Sequence, residues 1–576
     1  MREAAAHTDA PAGRIRPFGD TGLLVEVPVD LDATAALRAV VWLRERWERS
    51  LSEQSDISLR EGVTDLVPAA RTVLVRFDPQ RVPPSAVRAW LDRDLADPLD
   101  PLRRGAAIPT RVAPAEPDVE IGIRYDGPDL RETADLLGIP PERLVSAHLA
   151  ATWTVAFTGF APGFGYLVSE DWPFDVPRLP SPRTRVPAGS VGVAGVFSGA
   201  YPRSTPGGWR LIGSTSAPLF DPDAVSPALL RPGMRVRFRE EGDLSDAGGV
   251  LGRDRREGGD VVRGRHERAR LPHDTGAARG REAPRARSAP VLRVASPGLL
   301  TTIQDAGRLG AASLGVSVSG ALDRGALRTA NRLVGNEESA AALEITAGGF
   351  EADARADAWI AVTGAWGVLS VDGREIDHGV AHRWRRGERL RVDWFSAGAR
   401  AYLAIRGGLE APRVLGSAAT DTLAGLGPAP LRTGDLLTLA SAEAGEVPPS
   451  DLAPWSPPPS EIEVRLVPGP RTDAFTDASV EVLFEAAWRV GAAADRVGIR
   501  LDGPALERAN TAELASEGMV PGAIQVPPDG SPTILLADGP VTGGYPVIAT
   551  VLSGDLDLLG QAGPGTGVRF RHARTR

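Results

Sequence analysis

Between residues 157 and 213, glycine, proline, aromatic side chains and arginine alternate too densely for a helix or an ordinary core. The block reads Phe157-Thr-Gly-Phe-Ala-Pro-Gly-Phe-Gly-Tyr-Leu167, then Arg183-Thr-Arg-Val-Pro-Ala-Gly-Ser-Val-Gly-Val-Ala-Gly195, then Ser204-Thr-Pro-Gly-Gly-Trp-Arg-Leu-Ile-Gly213. Such a stretch is confined to short strands on tight turns. Glycines at this spacing let backbone N–H groups turn toward a ligand, and the arginines supply fixed positive charge, as an anion-recognising surface needs. The same residues also build hairpin turns that bind nothing. Residue chemistry alone leaves both readings open.

The chain has 576 residues, too many for one core, which predicts about three to four domains. No run approaches the roughly 18 apolar residues of a membrane helix, and residues 1–20 lack the apolar core of a secretory signal, so a cytoplasmic protein is expected. With no cysteine, disulfides, thiolate nucleophiles and zinc knuckles are excluded. Of seven histidines only His378 and His382 lie close together, without a supporting glutamate, so no metal site is expected. Lysine is absent, and every basic residue is arginine. A Walker-type phosphate loop, a Schiff base and a covalently attached biotin each require lysine, so the chain hosts none of them. Phosphate or carboxylate must then be held by arginine forks and backbone N–H groups. The net charge of −9 argues against nonspecific nucleic-acid binding.

Residues 1–116 read as a small α/β domain, with strands at 23–27 and 73–77, a helix with Leu37, Val40, Val41 and Trp47 on one face, and a second helix opened by Pro84. A proline-rich segment at 109–117 precedes a strand at 119–125. Two helices follow, one stopped by Gly138 and one opened by Pro141 and running to His148. Residues 117–241 thereby form a second, β-rich domain. At 242–289 apolar residues nearly vanish and arginine, glycine and aspartate dominate, as in a disordered linker. Residues 290–576 form a second β-rich half, expected as two barrels, with one helix near 324–334. The segment Pro232-Gly-Met-Arg-Val-Arg-Phe238 is echoed by Pro564-Gly-Thr-Gly-Val-Arg-Phe570, and more loosely by 386–392 and 433–439. A turn plus an alternating strand at the end of each unit suggests several barrels of similar build.

In the second half, Ser296-Pro-Gly-Leu-Leu-Thr-Thr-Ile-Gln-Asp-Ala-Gly-Arg-Leu-Gly310 places Gln304, Asp305 and Arg308 among glycines after a strand, mirroring the first block in kind. Ser319 or Asp323 can cap the helix that follows. Its N-terminus beside a glycine-rich turn is also a natural anion site. Glu344 lies in an apolar strand pattern and either points to solvent at an edge or is held in a pocket. Glu517, Gln525, Thr542, Gly543 and Gly544 bring carboxylate, amide and hydroxyl groups beside flexible backbone. No Ser-His-Asp triad, dinucleotide fingerprint or kinase loop is present.

The first-half motifs resemble the allophanate hydrolase subunit 1 family, which contains the 5-oxoprolinase B subunit and a sporulation-kinase inhibitor. The motifs at 296–310, 319–323 and 517–546 resemble allophanate hydrolase subunit 2, which contains the 5-oxoprolinase C subunit. The resemblance implies a mainly β chain with α/β parts: cyclophilin-like β-barrels in both halves, a small ferredoxin-like α/β domain in front, and two subunits fused in one chain. It implies ATP-dependent opening of the lactam of 5-oxoproline to glutamate with a separate A subunit, using ATP and Mg2+; a homo-oligomer is compatible with it. Phosphorylating the lactam oxygen turns a poor electrophile into a good one, and arginines with backbone N–H groups would hold the anions. The same families form the carboxyltransferase part of urea carboxylase, which for this chain would need a separate biotin carrier. A non-catalytic inhibitor of a sensor kinase is the third reading. The resemblance points to His148, Asp305, Asp323 and Glu344 as catalytic groups. For substrate or ATP it points to Gly163, Tyr166, Arg183, Arg185, Gly189, Ser190, Gly207 and Gly208, and to Gln304, Arg308, Ser319, Gln525, Thr542, Gly543 and Gly544. Where relatives show Leu-Ile-Gly-Arg-Thr, this chain has Ser214, so if that arginine binds phosphate either the first site is weakened or Arg210 substitutes for it; Ala161 and Gly165 also depart from the family form.

Overall fold

The computed structural model describes residues 15–27, 33–95, 117–224, 226–241, 289–441, 445–448, 453, 456–511 and 514–573. The linker expected at 242–289 and the proline-rich segment at 109–117 lie outside these residues, apart from their last positions.

The N-terminal unit is a four-stranded antiparallel sheet in the order Ile15–Phe18, Gly22–Glu26, Thr72–Phe77, Val63–Pro68. Helix Ala33–Glu53 crosses between the second and third strands in sequence, and Pro84–Leu95 follows the fourth. This is the ferredoxin-like arrangement with one change: the edge strand beside Gly22–Glu26 comes from the N-terminus instead of following the second helix. Alternation splits the sheet's two faces. Leu23, Val25, Val73 and Val75 pack on the helices around Trp47 and Trp90. Leu24, Leu74, Val67 and Phe18 face the other way, into a core shared with Met519, Val520, Ala523 and Val547 of the second half. Both faces being covered is why these strands read as continuous apolar runs.

Two β-barrels carry the repeat seen in the sequence. In the first, the strand order is Val119–Ile123, Arg235–Glu240, Trp153–Thr158, Gly165–Val168, Phe197–Ala200, Ser190–Ala194, Arg210–Ser214, and a bridge between Arg124 and Ser214 closes the circle. The second runs Glu461–Pro468, Gly567–His572, Trp488–Val490, Gly498–Asp502, Thr533–Leu535, Ala523–Gln525, Val547–Val551 and closes on itself. The two are the same strand for strand. In each barrel the strand listed second, which is the last in the chain, pairs in parallel with the first of the list and antiparallel with the third. Each is entered through a glycine at positive φ, Gly233 at 89° and Gly565 at 87°. A tryptophan at the start of each third strand donates its indole N–H to the carbonyl five residues back, Trp153 to His148 (3.1 Å) and Trp488 to Leu483 (2.9 Å).

Between the barrels, residues 289–441 form two sheets, of six and five strands, around one apolar core. Helix Arg324–Leu333 covers the outer side of the five-stranded sheet through Leu327, Ala330 and Leu333.

Candidate functional site

Each barrel extrudes a two-stranded antiparallel hairpin whose arms are separated in sequence by two barrel strands. In the first, Arg183–Val186 pairs with Thr205–Gly207, Gly207 lying opposite Arg183. In the second, Glu517–Gly518 pairs with Thr542–Gly543, Gly543 lying opposite Glu517. The Gly207-Gly208 and Gly543-Gly544 pairs are therefore counterparts, and the true echo of the first block is 517–546. The stretch 296–310, expected to mirror it, is instead the turn that carries the chain from one central sheet to the other, with the strand Leu300–Gln304 and the loop after it.

The charges at these counterparts are reversed. Arg183 donates to Asp129 (2.6 Å), which also accepts the Leu211 amide (2.7 Å). Glu517 accepts from Arg471 (Nε–Oε1 3.0 Å), and Arg471 also pairs with Glu26 of the N-terminal sheet. The second hairpin is covered by its own chain. The first stays partly exposed along its strands, and beneath it lies a buried aromatic cluster in which Phe164 meets Tyr201 (5.0 Å between centroids) and Trp209 (5.3 Å), and Tyr166 stacks on Phe157 (4.2 Å). Burial pushes the Tyr166 hydroxyl up to about 12 and Tyr201 higher still, so both stay protonated and able to donate.

Loop 158–163 ties this wall to the second half. Thr158 donates to the Ser313 carbonyl (2.5 Å), the Gly163 amide to Leu314 (3.2 Å), and the Phe160 amide to Thr542 Oγ1 (3.2 Å). A Cβ on Gly159 would stand 2.1 Å from Thr542 Oγ1, so only glycine admits this approach. Phe160 holds a φ of +64° and leaves its ring 40% exposed at the junction of the halves. The structure thus brings together Gly163, Tyr166, Arg183, Gly207 and Gly208 on one side, with Thr542 and Gly543 behind the loop. Gln525 fills the second barrel's hairpin and donates to the Tyr545 carbonyl (3.3 Å); Gly544 is exposed beside it. Gly189 and Ser190 form the turn entering strand Ser190–Ala194, with the Gly189 amide on the Tyr201 carbonyl (2.8 Å). Arg185 points outward to Ser204 (3.0 Å).

Four expectations are corrected. His148 is wholly buried, sharing hydrogen bonds with Tyr125 Oη and Ser198 Oγ (2.8 Å each), among Trp153, Trp172 and Phe238. Burial pushes it down to about 3, so it stays neutral, and its counterpart in the second barrel is the core residue Leu483. It is a core histidine with both ring nitrogens engaged. Asp305 spends its carboxylate on Ser417 (2.6 Å), Ala418 (2.7 Å) and Gly307 (2.8 Å), fixing a loop. Glu344 is neither at an edge nor in a pocket. It accepts from Arg496 (2.6 Å), Tyr402 (2.7 Å) and the Leu322 amide (3.1 Å) in the interior. The helix N-terminus at 324 is no open anion site either, because Asp557 accepts the Arg324 and Gly325 amides (3.0 Å each) and Asp323 caps Ala326 (2.8 Å). Burial, with Asp557 adding to it, pushes Asp323 up to about 6.

The remaining second-half candidates join the same interior network. Ser319, at φ +54°, donates to Asp538 (2.7 Å) instead of capping. Gln304 donates to Thr420 O (2.9 Å), and Arg308 to Val414 O (3.3 Å) and to Ala419 O. The hub, Arg496, was missed because an arginine in Ala-Asp-Arg-Val carries no sequence mark of burial. Arg210 does not replace the family arginine: it is buried on Pro177 O (2.9 Å) and Glu132 (3.0 Å). Ser214 sits at the barrel seam and donates to Asp126 (2.9 Å).

The comparisons with known proteins agree with this two-part build. The family described as carboxyltransferase domain, subdomain C and D, matches residues 13–230, and carboxyltransferase domain, subdomain A and B, matches residues 314–572. The 5-oxoprolinase C subunit of Escherichia coli K12 is 36% identical over 285 residues, 49% of this chain and 90% of that protein. The 5-oxoprolinase B subunit of Bacillus subtilis is 37% identical over 187 residues, 31% of this chain and 75% of that protein. Urea amidolyase of Saccharomyces cerevisiae is 34% identical over 304 residues, 48% of this chain but 16% of the yeast protein. The crystal structure of TTHA0988 superposes with a TM-score of 0.76 at 35% identity, covering 97% of this chain and all of that one. The chain belongs to the carboxyltransferase-domain family, with homologues of the 5-oxoprolinase B and C subunits joined in one polypeptide.

Proposed function

We propose that this chain supplies the B and C components of an ATP-dependent 5-oxoprolinase and acts with a separate A subunit. The observation that carries the reading is that relatives bearing those two names match the two halves, which here meet at loop 158–163. The first-barrel hairpin suits the recognition of an anionic amide. It offers Arg183, two protonated tyrosine hydroxyls and glycine backbone, while its one carboxylate, Asp129, is spent on Arg183 and Leu211. Among the described residues of this hairpin no carboxylate or imidazole stands free, and in this reading acid–base chemistry is assigned to the partner subunit.

ATP would contribute the phosphoryl group that activates the lactam oxygen. The donor set does not suit Mg2+: Asp305, Asp323 and Glu344 are committed internally, and among the described residues no three His, Asp or Glu cluster as metal ligands. In this reading the metal is held outside this chain.

The similarity to urea amidolyase favours a second reading, a carboxyltransferase component. Without lysine the chain would depend on a separate biotin carrier. The test is glutamate release from 5-oxoproline with ATP, using this chain with and without a co-expressed A subunit. Turnover that requires both proteins supports the proposal. Absence of turnover, together with carboxyl transfer involving free biotin, favours the second reading.

A further inference from the structure

Side chains alternate across the first-barrel hairpin. Val186, buried, lies opposite Thr205, and Arg183 lies opposite Gly207, whereas Arg185, Ser204 and Pro206 are exposed. A register shift separates the two pairs: Thr205 lies opposite buried Val186, while Gly207, opposite Arg183, faces Tyr201, whose hydroxyl a Cβ on Gly207 would meet at 2.6 Å; Arg203 lies in the bend just before the strand. Arg183 Nη1, Arg203 Nη1 and Thr205 Oγ1 are each buried and have no hydrogen-bond partner among the described residues. A buried donor left unmatched costs about 1–3 kcal/mol, and native proteins keep few of them.

The second barrel supplies an internal control. With the two Gly-Gly pairs aligned, Arg203 corresponds to Gly539 and Thr205 to Val541, which packs in an apolar core. Arg183 corresponds to Glu517, whose two oxygens both accept from Arg471. The covered hairpin carries no unmatched polar group at these three positions. The open hairpin has one at each.

We propose that Arg203 and Thr205, with Arg183, form an oxyanion subsite that holds a carboxylate or phosphoryl group of a small ligand. The guanidinium nitrogens only donate, and the neighbouring Tyr166 and Tyr201 hydroxyls are protonated, which suits an acceptor-only group. The Arg203 guanidinium also borders Gly425 of the second half, lying 3.7 Å from where a Cβ there would stand, so the subsite is at the junction of the halves. This rests on the reading that the first-barrel hairpin is the substrate wall.

The test is calorimetric titration of the full chain with 5-oxoproline, with 2-pyrrolidinone, which is the same lactam without its carboxylate, and with inorganic phosphate. Arg203→Gln and Thr205→Val, the latter installing the residue of the second barrel, should each weaken one anion by about tenfold or more. Binding of 2-pyrrolidinone should stay unchanged, and the thermal midpoint should hold or rise, because each variant removes a buried unmatched donor. Loss confined to 5-oxoproline assigns the subsite to a substrate carboxylate, and loss confined to phosphate assigns it to a phosphoryl group. Wild-type affinity for both anions in both variants, or no anion binding by the wild type, overturns the inference. Glutamate release in the presence of the A subunit separates the two readings. Turnover with unchanged KM in both variants removes the subsite alone, while Arg203-dependent anion binding without turnover removes the oxoprolinase reading alone.

Discussion

Replacing Arg496 by methionine removes the hub of the buried network in the second half. Arg496 donates from Nη1 to Glu344 (2.6 Å), from Nε and Nη2 to Asp538 (3.0 and 2.9 Å), and from Nη2 to the Gly320 carbonyl (2.6 Å). It thereby joins the central sheets to the C-terminal barrel. Both carboxylates are fully buried; with methionine, among the described residues, Glu344 keeps only Arg400, at 3.8 Å, as a cation, and Asp538 only the Thr422 and Ser319 donors, a loss that costs about 3–5 kcal/mol. At about 2–4 °C per kcal/mol for units of this size, the thermal midpoint of the second half should fall by roughly 6–20 °C in calorimetry. The pH dependence gives a second signature. Burial alone would raise Asp538, but Arg496, Thr422 and Ser319 hold it below the usual carboxylate range. Its stabilising contribution is thus present above its unfolded value and lost as pH falls through the folded one. Without Arg496 that depression disappears, so the gap between wild type and Arg496→Met should narrow as the pH falls below the unfolded carboxylate value of about 4. A variant that melts within 2 °C of wild type, or a gap that widens in acid, would refute the argument.

His148→Leu places the second barrel's core residue in the first. His148 titrates near 3 when folded and near 6.5 when unfolded, so the wild type loses stability as pH drops between those values. The variant should melt less pH-dependently in that window but lower at pH 7, by about 1–3 kcal/mol for unpaired Tyr125 and Ser198 groups, with the pH profile of turnover unshifted. Gly159→Ala drives a Cβ into Thr542 and should loosen the contact between the halves, read as increased proteolysis of loop 158–163. Thr542→Gly on that background should restore protection; failure to do so would place the defect elsewhere. Ser214→Arg should leave the thermal midpoint within about 0.5 kcal/mol of wild type, because the half-exposed seam position has Asp126 at hand as a partner.

Much of the fold was legible because local rules and tertiary structure agree. Pro84 and Pro141 open helices where expected, Asp323 caps the helix at Arg324, and the two Pro-Gly-x-x-Val-Arg-Phe segments are equivalent closing strands. The catalytic carboxylates were misread for a physical reason. A short polar side chain among glycines looks alike whether it faces a ligand or satisfies buried backbone amides, as Asp305 does for Gly307 and Ala418. Glu344 sat in an apolar strand with its partner Arg496 some 150 residues away, and no local pattern records such a pair. The equivalence of the hairpins was present in the Gly-Gly repeats, but insertions of different length between them hid it until the strand pairings set the alignment.

By itself the sequence determined the strand-and-turn grammar of both barrels, the two-sided apolar strands of the N-terminal sheet and the exclusion of lysine and cysteine chemistry. These follow from residue-level conformational preference and periodicity, which the chain carries locally. Only the tertiary structure decided which hairpin is open and which is covered. That choice depends on Leu24 and Leu74 meeting Met519 and Val547, and on Glu26 meeting Arg471, contacts between residues hundreds of positions apart. Burial of one hairpin consumes its polar groups, whereas Arg183, Arg203 and Thr205 at the other each keep a buried polar atom unmatched among the described residues.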